Sequence, residues 1–199
     1  MEKRNIMKKN LKTQFLTRQY MLSKDYELYY YSDSHMADVD SHTHDYYEFY
    51  FFLEGAVSYL IEKQLYSLKA GDVVAIPPGI HHKAVIHNFE KPYRRFVLWI
   101  SIDYYERIRQ MSEDYFYIIR LAREKKQYVF PNDAVAFSSI QSRIFHLIEE
   151  IHWDRFGKEE KIFIGICDLF LHLSRLVYEN NHPRKLKEDQ NLYENIIQY

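Results

Sequence analysis

Cysteine is almost absent from this 199-residue chain: the single thiol, Cys167, excludes an internal disulfide and fits a reducing compartment. Its neighbours Ile166, Leu169 and Phe170 predict that it is buried. Long apolar runs are absent too, and none approaches the roughly eighteen residues of a membrane span. The first twenty residues, MEKRNIMKKNLKTQFLTRQY, are basic but lack the apolar core of a secretory signal, so a cytoplasmic chain with no membrane partner is expected. Neither sign of charge dominates, with 27 Lys and Arg against 28 Asp and Glu. The chain therefore lacks the electrostatic excess that drives binding to a phosphate backbone, and any contact with DNA has to lie elsewhere. Glycine is scarce, at five residues, and three of them, Gly55, Gly71 and Gly79, fall within one short stretch.

Aromatic residues are plentiful, with 19 Tyr and 13 Phe, which excludes a disordered or low-complexity chain. Between Tyr26 and Ser101 the runs YELYYYS, EFYFFL, AVSYLI, VVAI, AVI and RRFVLWIS read as short strands punctuated by turn formers, among them Pro77-Pro78-Gly79. Consecutive strands without intervening helices predict an antiparallel sandwich or barrel. Phe49, Phe51 and Leu53 make one face of such a strand apolar as well, so that face needs a cover of helices or a second subunit.

After Ser101 the period changes to that of helices. Phe137, Ile140, Ile144, Leu147 and Ile151 are spaced 3, 4, 3 and 4 residues apart, and Ile162, Ile166, Leu169, Leu173 and Leu176 repeat the device. Gly157 separates the two stripes, which predicts an αα-hairpin, preceded by a further helix around Tyr115 to Lys126. Phe163, Phe170 and Val177 widen the second stripe. Part of the hairpin should pack on the β domain, and the width leaves surface for a homodimer contact through Ile140, Ile144, Leu147, Ile151, Leu169, Leu173 and Leu176. ENNHPRKLKEDQ then reads as a linker, and LYENIIQY as the opening of another amphipathic helix, as if the chain had been cut there. The expected divisions are a basic arm over 1–25, a β-barrel over 26–101, a helical region over 102–181 and a linker with a helix opening over 182–199.

The chemistry concentrates in HTHDYYEFYFFLEG, residues 42–55. On a strand, His42, His44 and Glu48 would share a face with Tyr50 and Phe52, and GDVVAIPPGIHH adds His82 at the end of another strand. Three imidazoles and a carboxylate suit iron, manganese, nickel, copper or zinc and would leave positions open for water or substrate. His81, next to His82, should point away.

These two segments resemble the first and second cupin motifs, His-x-His-x3-Glu-x6-Gly and Gly-x5-Pro-x-Gly-x2-His. The second departs from the usual pattern, which continues to an Asn where this chain has Ile86. A cupin followed by helices, a charged linker and the start of an amphipathic helix resembles the amino-terminal half of AraC-type transcription regulators. That resemblance implies a fold that is mainly β plus α: a cupin-type antiparallel β-barrel, or jelly roll, followed by an α-helical dimerisation hairpin. It implies a small-molecule effector, sugar or sugar-like, bound by His42, His44, Glu48, Tyr50, His82 and Trp99. It also implies a homodimer, DNA contact only through a helix-turn-helix domain beyond this chain, and no catalytic activity. His42, His44, Glu48 and His82 would hold any divalent metal, Zn, Ni, Mn or Fe. The other reading is a metal-dependent cupin enzyme, a dioxygenase or sugar isomerase using the same four residues.

Overall fold

The computed structural model describes residues 20–35 and 39–183; most of the expected basic arm and the helix opening at the end of the chain lie outside the described residues. Seven strands come first: β1 Tyr26–Asp33, β2 Tyr47–Glu54, β3 Ala56–Ile61, β4 Gln64–Ser67, β5 Val73–Ile76, β6 His82–Asn88 and β7 Tyr93–Ile100. A two-residue strand, β8 Val129–Phe130, arrives later and pairs with the edge of β5. One sheet has the order β1-β7-β2-β5-β8 and the other β4-β3-β6, with every pairing antiparallel. The two sheets form the expected antiparallel barrel-like fold.

Strand alternation sorts the side chains of the larger sheet into two cores. Tyr50, Phe52, Val74, Ile76, Val97 and Trp99 face the space between the sheets, where Tyr59 and Ile61 of β3 meet them. Phe49, Phe51, Val73, Ala75, Phe96 and Leu98 face the other way, and helices cover them. These helices are α1 Ile102–Arg109, a 3₁₀ turn at Glu113–Phe116, α2 Tyr117–Lys125, α3 Ala134–His152 and α4 Lys158–Asn181. Local chemistry sets their ends: Ser101 caps α1 and Asp133 caps α3 by accepting backbone N–H bonds, while Gly157, at φ 70°, makes the reversal into α4.

The hairpin α3–α4 lies where its stripes predict, but the stripes are spent within the chain. Ile140, Ile144, Leu147, Leu169 and Leu173 are buried in its own core, with Ile151 and Leu176 half-buried against the same cluster. Phe170 touches Phe49 of β2 at 4.7 Å between ring centroids. Their assignment as a dimer surface is therefore corrected: the apolar outer face of the sheet takes the stripe, and each large side chain so buried contributes about 1.5–3 kcal/mol. The exposed apolar residues of the hairpin are others, among them Phe145 and Ile164. No helix among the described residues is long and apolar enough to cross a membrane.

Candidate metal centre

Glu48 sits centrally in its sheet, between Ile76 of β5 and Trp99 of β7. Its inward parity carries the carboxylate into the space between the sheets. His44 lies just before β2, and His82 opens β6 after the turn at Pro77-Pro78-Gly79. That turn is tied down by the Gly79 N–H, which donates to the His44 carbonyl at 2.9 Å. His42 and His82 exchange backbone hydrogen bonds of 3.1 and 3.0 Å, an isolated bridge that clips the two motif segments together.

The result brings three of the four expected ligands together. One ligand atom each from His44, Glu48 and His82 lies within 4.8 Å of the others, and all three residues are buried. His44 Nε2 stands 3.0 Å from Glu48 Oε2, and His82 Nε2 stands 3.7 Å from the same oxygen. His42 stands apart from these three. The chain from Asp40 to Asp45 is not a strand, so parity does not carry this ring inward as it does Glu48. It stays half-buried, 4.7 Å from the His82 ring but 6.4 Å from the His44 ring.

Each imidazole has its Nδ1 against a backbone carbonyl: His42 with Asp40 at 3.0 Å, His44 with Tyr46 at 2.8 Å and His82 with Ile80 at 2.9 Å. An Nδ1–H donated there leaves Nε2 as the lone-pair nitrogen, the arrangement that prepares a histidine for a metal. For His44 and His82 that lone pair meets a carboxylate, so a proton or a cation has to lie between them. His82 Nε2 is buried and has no hydrogen-bond partner. A nitrogen–nitrogen–oxygen donor set with one buried, unpartnered nitrogen fits a divalent metal.

Charge reinforces the arrangement. Burial alone would push the Glu48 carboxyl up, but the interactions of His44, at hydrogen-bond distance, and of His82, farther off, outweigh this and hold it well below the usual carboxylate range. Burial pushes His82 down, and Glu48 reverses that and raises it. His42 is lowered, chiefly by burial, against the pull of the Asp40 carbonyl.

Aromatic rings wall the centre. Trp99 and Tyr50, both expected near a ligand, are buried in the inner core. Tyr46 stacks on His44 with centroids 3.9 Å apart and leans on Trp99 at 4.7 Å. Tyr59 lies parallel to His82 at 6.2 Å. Farther along the interior, Tyr50 Oη accepts from both Tyr93 Oη and Arg95 Nε at 3.0 Å. Tyr46, Tyr59 and Arg95 were missed from the sequence, although Arg95 shares the parity of Val97 and Trp99 and so could have been placed inside. His81 is exposed, as its position beside His82 implies.

The family pattern described as the cupin domain matches residues 35–100. This chain carries a cupin domain. Solved structures that resemble the cupin include a Cupin 2 conserved barrel domain protein from Salinispora arenicola CNS-205, with 20% identity, a TM-score of 0.37, and coverage of 49% of this chain and 81% of that one. The DMSP lyase DddQ from Ruegeria pomeroyi DSS-3 has 27% identity and a TM-score of 0.33, with 40% of each chain covered. A salicylate 1,2-dioxygenase from Pseudaminobacter salicylatoxidans has 17% identity and a TM-score of 0.32, covering 38% of this chain and 21% of its own. No curated protein sequence matches. The expectation of no enzymatic activity is withdrawn: proteins named as a lyase and a dioxygenase are among the matches, and these matches concern the cupin fold alone.

Proposed function

We propose that the cupin domain is a metal-assisted chamber for a small molecule, and that the chain is the effector-sensing part of an AraC-type transcription regulator. The observation that carries the chamber is the convergence of His44, Glu48 and His82 inside an otherwise aromatic interior. Those three residues would hold Zn, Ni, Mn or Fe, with His42 beside them. The metal would supply a Lewis acid for an oxygen of the bound molecule. Trp99, Tyr46 and Tyr59 offer ring faces of the kind that stack on sugars, which supports a sugar-like effector.

Transmission requires that the effector favour one arrangement of the chain over another. A segment suited to this precedes β1. Ser23 N–H donates to Glu27 Oε1 at 2.6 Å, Leu22 N–H donates to the same oxygen, and Met21 packs against the inner core. The segment thus touches both the cupin interior and the start of the sheet. Homodimerisation through the helical region and DNA contact through a domain beyond this chain complete the reading.

A second reading, a metal-dependent enzyme such as a dioxygenase or sugar isomerase, is favoured by the prepared Nε2 atoms of the same centre. One experiment addresses both. Protein purified without affinity tag or chelator is assayed for metal, then screened by thermal shift against sugars, sugar phosphates and carboxylates, with the mixture followed by NMR. A ligand that raises the melting temperature and is recovered unchanged supports the sensor; one that is consumed supports the enzyme. Folded protein that binds neither metal nor any of these compounds ends both readings. A coding sequence without helix-turn-helix units after Tyr199 ends the regulator reading alone.

A further inference from the structure

The outer face of the larger sheet is not wholly covered by helices. Where β1, β2 and β7 run past α3, a groove of about 1000 Å³ remains open. Phe96 forms its floor, with Tyr30 of β1 at 5.3 Å and Phe145 of α3 at 5.5 Å, the latter perpendicular to it at 89°. Tyr30 and Phe145 are 42% and 56% exposed, a large apolar exposure for two rings that both pack on Phe96. Phe52, Leu53, Leu68, Ala70 and Ile148 add to the apolar lining.

The groove lining also carries cations. Lys69, Lys91 and Arg94 line it against a single carboxylate, Glu54, which stands 3.8 Å from Lys91 and 3.4 Å from Arg94. Asp72 is spoken for, since it is buried and accepts the Lys69 backbone N–H at 2.8 Å. In a chain whose net charge is -1, this is a local excess of positive charge next to aromatic faces.

We propose that this groove binds a small amphipathic carboxylate, its flat apolar body between Tyr30, Phe96 and Phe145 and its anionic head at Lys69 and Arg94. The groove opens on the helix side of the sheet: Phe96 points there, whereas Arg95 and Val97 on either side of it point inward, and the groove shares only Phe52 and Leu68 with the inner core. The basic stretch 1–19, with six Lys and Arg against one Glu, is unsuited to the cationic rim. A ligand of this shape falls within the size that such grooves accommodate, and the charged rim would orient it.

The test uses 2-naphthoate and the neutral 2-naphthalenemethanol, measured by titration calorimetry on the chain and on variants that retain the parent melting temperature. Naphthoate is expected to bind at one site and the alcohol about fivefold more weakly, as is naphthoate to the double variant Lys69→Ala, Arg94→Ala. Phe145→Ala should weaken naphthoate by about tenfold, and His44→Ala should leave it unchanged. Absence of naphthoate binding at millimolar concentration overturns the proposal. So does binding indifferent to the groove variants, which places the ligand elsewhere, or binding lost in His44→Ala, which places it in the cupin. A dimer that dissociates in Phe145→Ala, with no naphthoate bound, would assign the groove to a second copy instead.

Discussion

His82 Nε2 faces Glu48 Oε2 across 3.7 Å, while the other nitrogen of the ring lies 2.9 Å from the Ile80 carbonyl. The first distance is too long for a good hydrogen bond and the second is ideal, so the ring is anchored at its back and open at its front. A metal bound there joins native-state residues that the unfolded chain does not bring together. Stripping it with a chelator should lower stability by about 2.7 kcal/mol at a free metal concentration 100 times Kd, read as a fall in melting temperature that added metal restores. His82→Ala should abolish stoichiometric metal and make the melting temperature insensitive to chelator. A parent protein equally insensitive would show that the site holds no metal.

Arg95 is a second internal feature with a measurable consequence. Its side chain is almost fully buried, with its guanidinium 4.0 Å from the Tyr93 ring centre and 4.7 Å from that of Tyr31, and it bonds to Asp33 and to Tyr50. Arg95→Met removes the cation, leaves Asp33 without its donor and takes one of two donors from the Tyr50 hydroxyl, which keeps that of Tyr93. A loss of about 3–5 kcal/mol in urea unfolding is expected. Arg95→Lys should recover only part of it, because an ammonium cannot reproduce the planar fork that reaches Tyr50 and Asp33 together. Full recovery by lysine would show that charge alone matters.

Much of this was legible in the sequence, for physical reasons that differ from residue to residue. The αα-hairpin was visible because Phe137 to Ile151 and Ile162 to Leu176 hold one period over several turns, and periodic burial is what fixes such helices. The centre was visible because motif spacing constrains chemistry: the Pro77-Pro78-Gly79 turn delivers His82 to the same point as Glu48. The stripe's target was not visible, since an apolar face records only that something covers it, and here the outer face of the sheet does. β4 left no mark because it is short and largely exposed, entered through Glu62 at φ 53° instead of a glycine. His42 is not placed by strand parity, because it lies in an isolated bridge before β2 and not on the strand itself.

Gly71 is the glycine whose replacement should cost most. Its φ of 99° is strained for any other residue, and an added Cβ would lie 2.8 Å from the Asn132 backbone oxygen. The same residue is held on both sides, its N–H donating to Phe52 at 3.0 Å and its carbonyl accepting from the Asn132 side chain at 3.0 Å. Relief of the clash therefore breaks a bond between the turn before β5 and the connection into α3. Gly71→Ala is expected to destabilise the chain by about 2–4 kcal/mol in urea unfolding. Gly79, also at positive φ but with open space around a Cβ, should cost about 1 kcal/mol. Equal costs at the two positions would show that backbone conformation alone, not the Asn132 contact, sets the penalty.

Cys167 tests the packing of α4 against α1. The thiol is 6% exposed, and burial raises its pKa to about 11, against a smaller opposing pull from Arg107. The thiolate is the reactive form, so a raised pKa slows alkylation at any pH below it. At pH 8 native protein should react with iodoacetamide about 100-fold more slowly than protein unfolded in urea, from the thiolate fraction alone. Between pH 8 and 10 the native rate should climb about tenfold per unit, as long as the fold persists. The linkage has a definite sign: a thiol whose folded pKa is raised contributes stability below its unfolded value and loses it as pH rises towards about 11. Alkylation at the unfolded rate at pH 8 would mean that α4 does not stay packed over this residue.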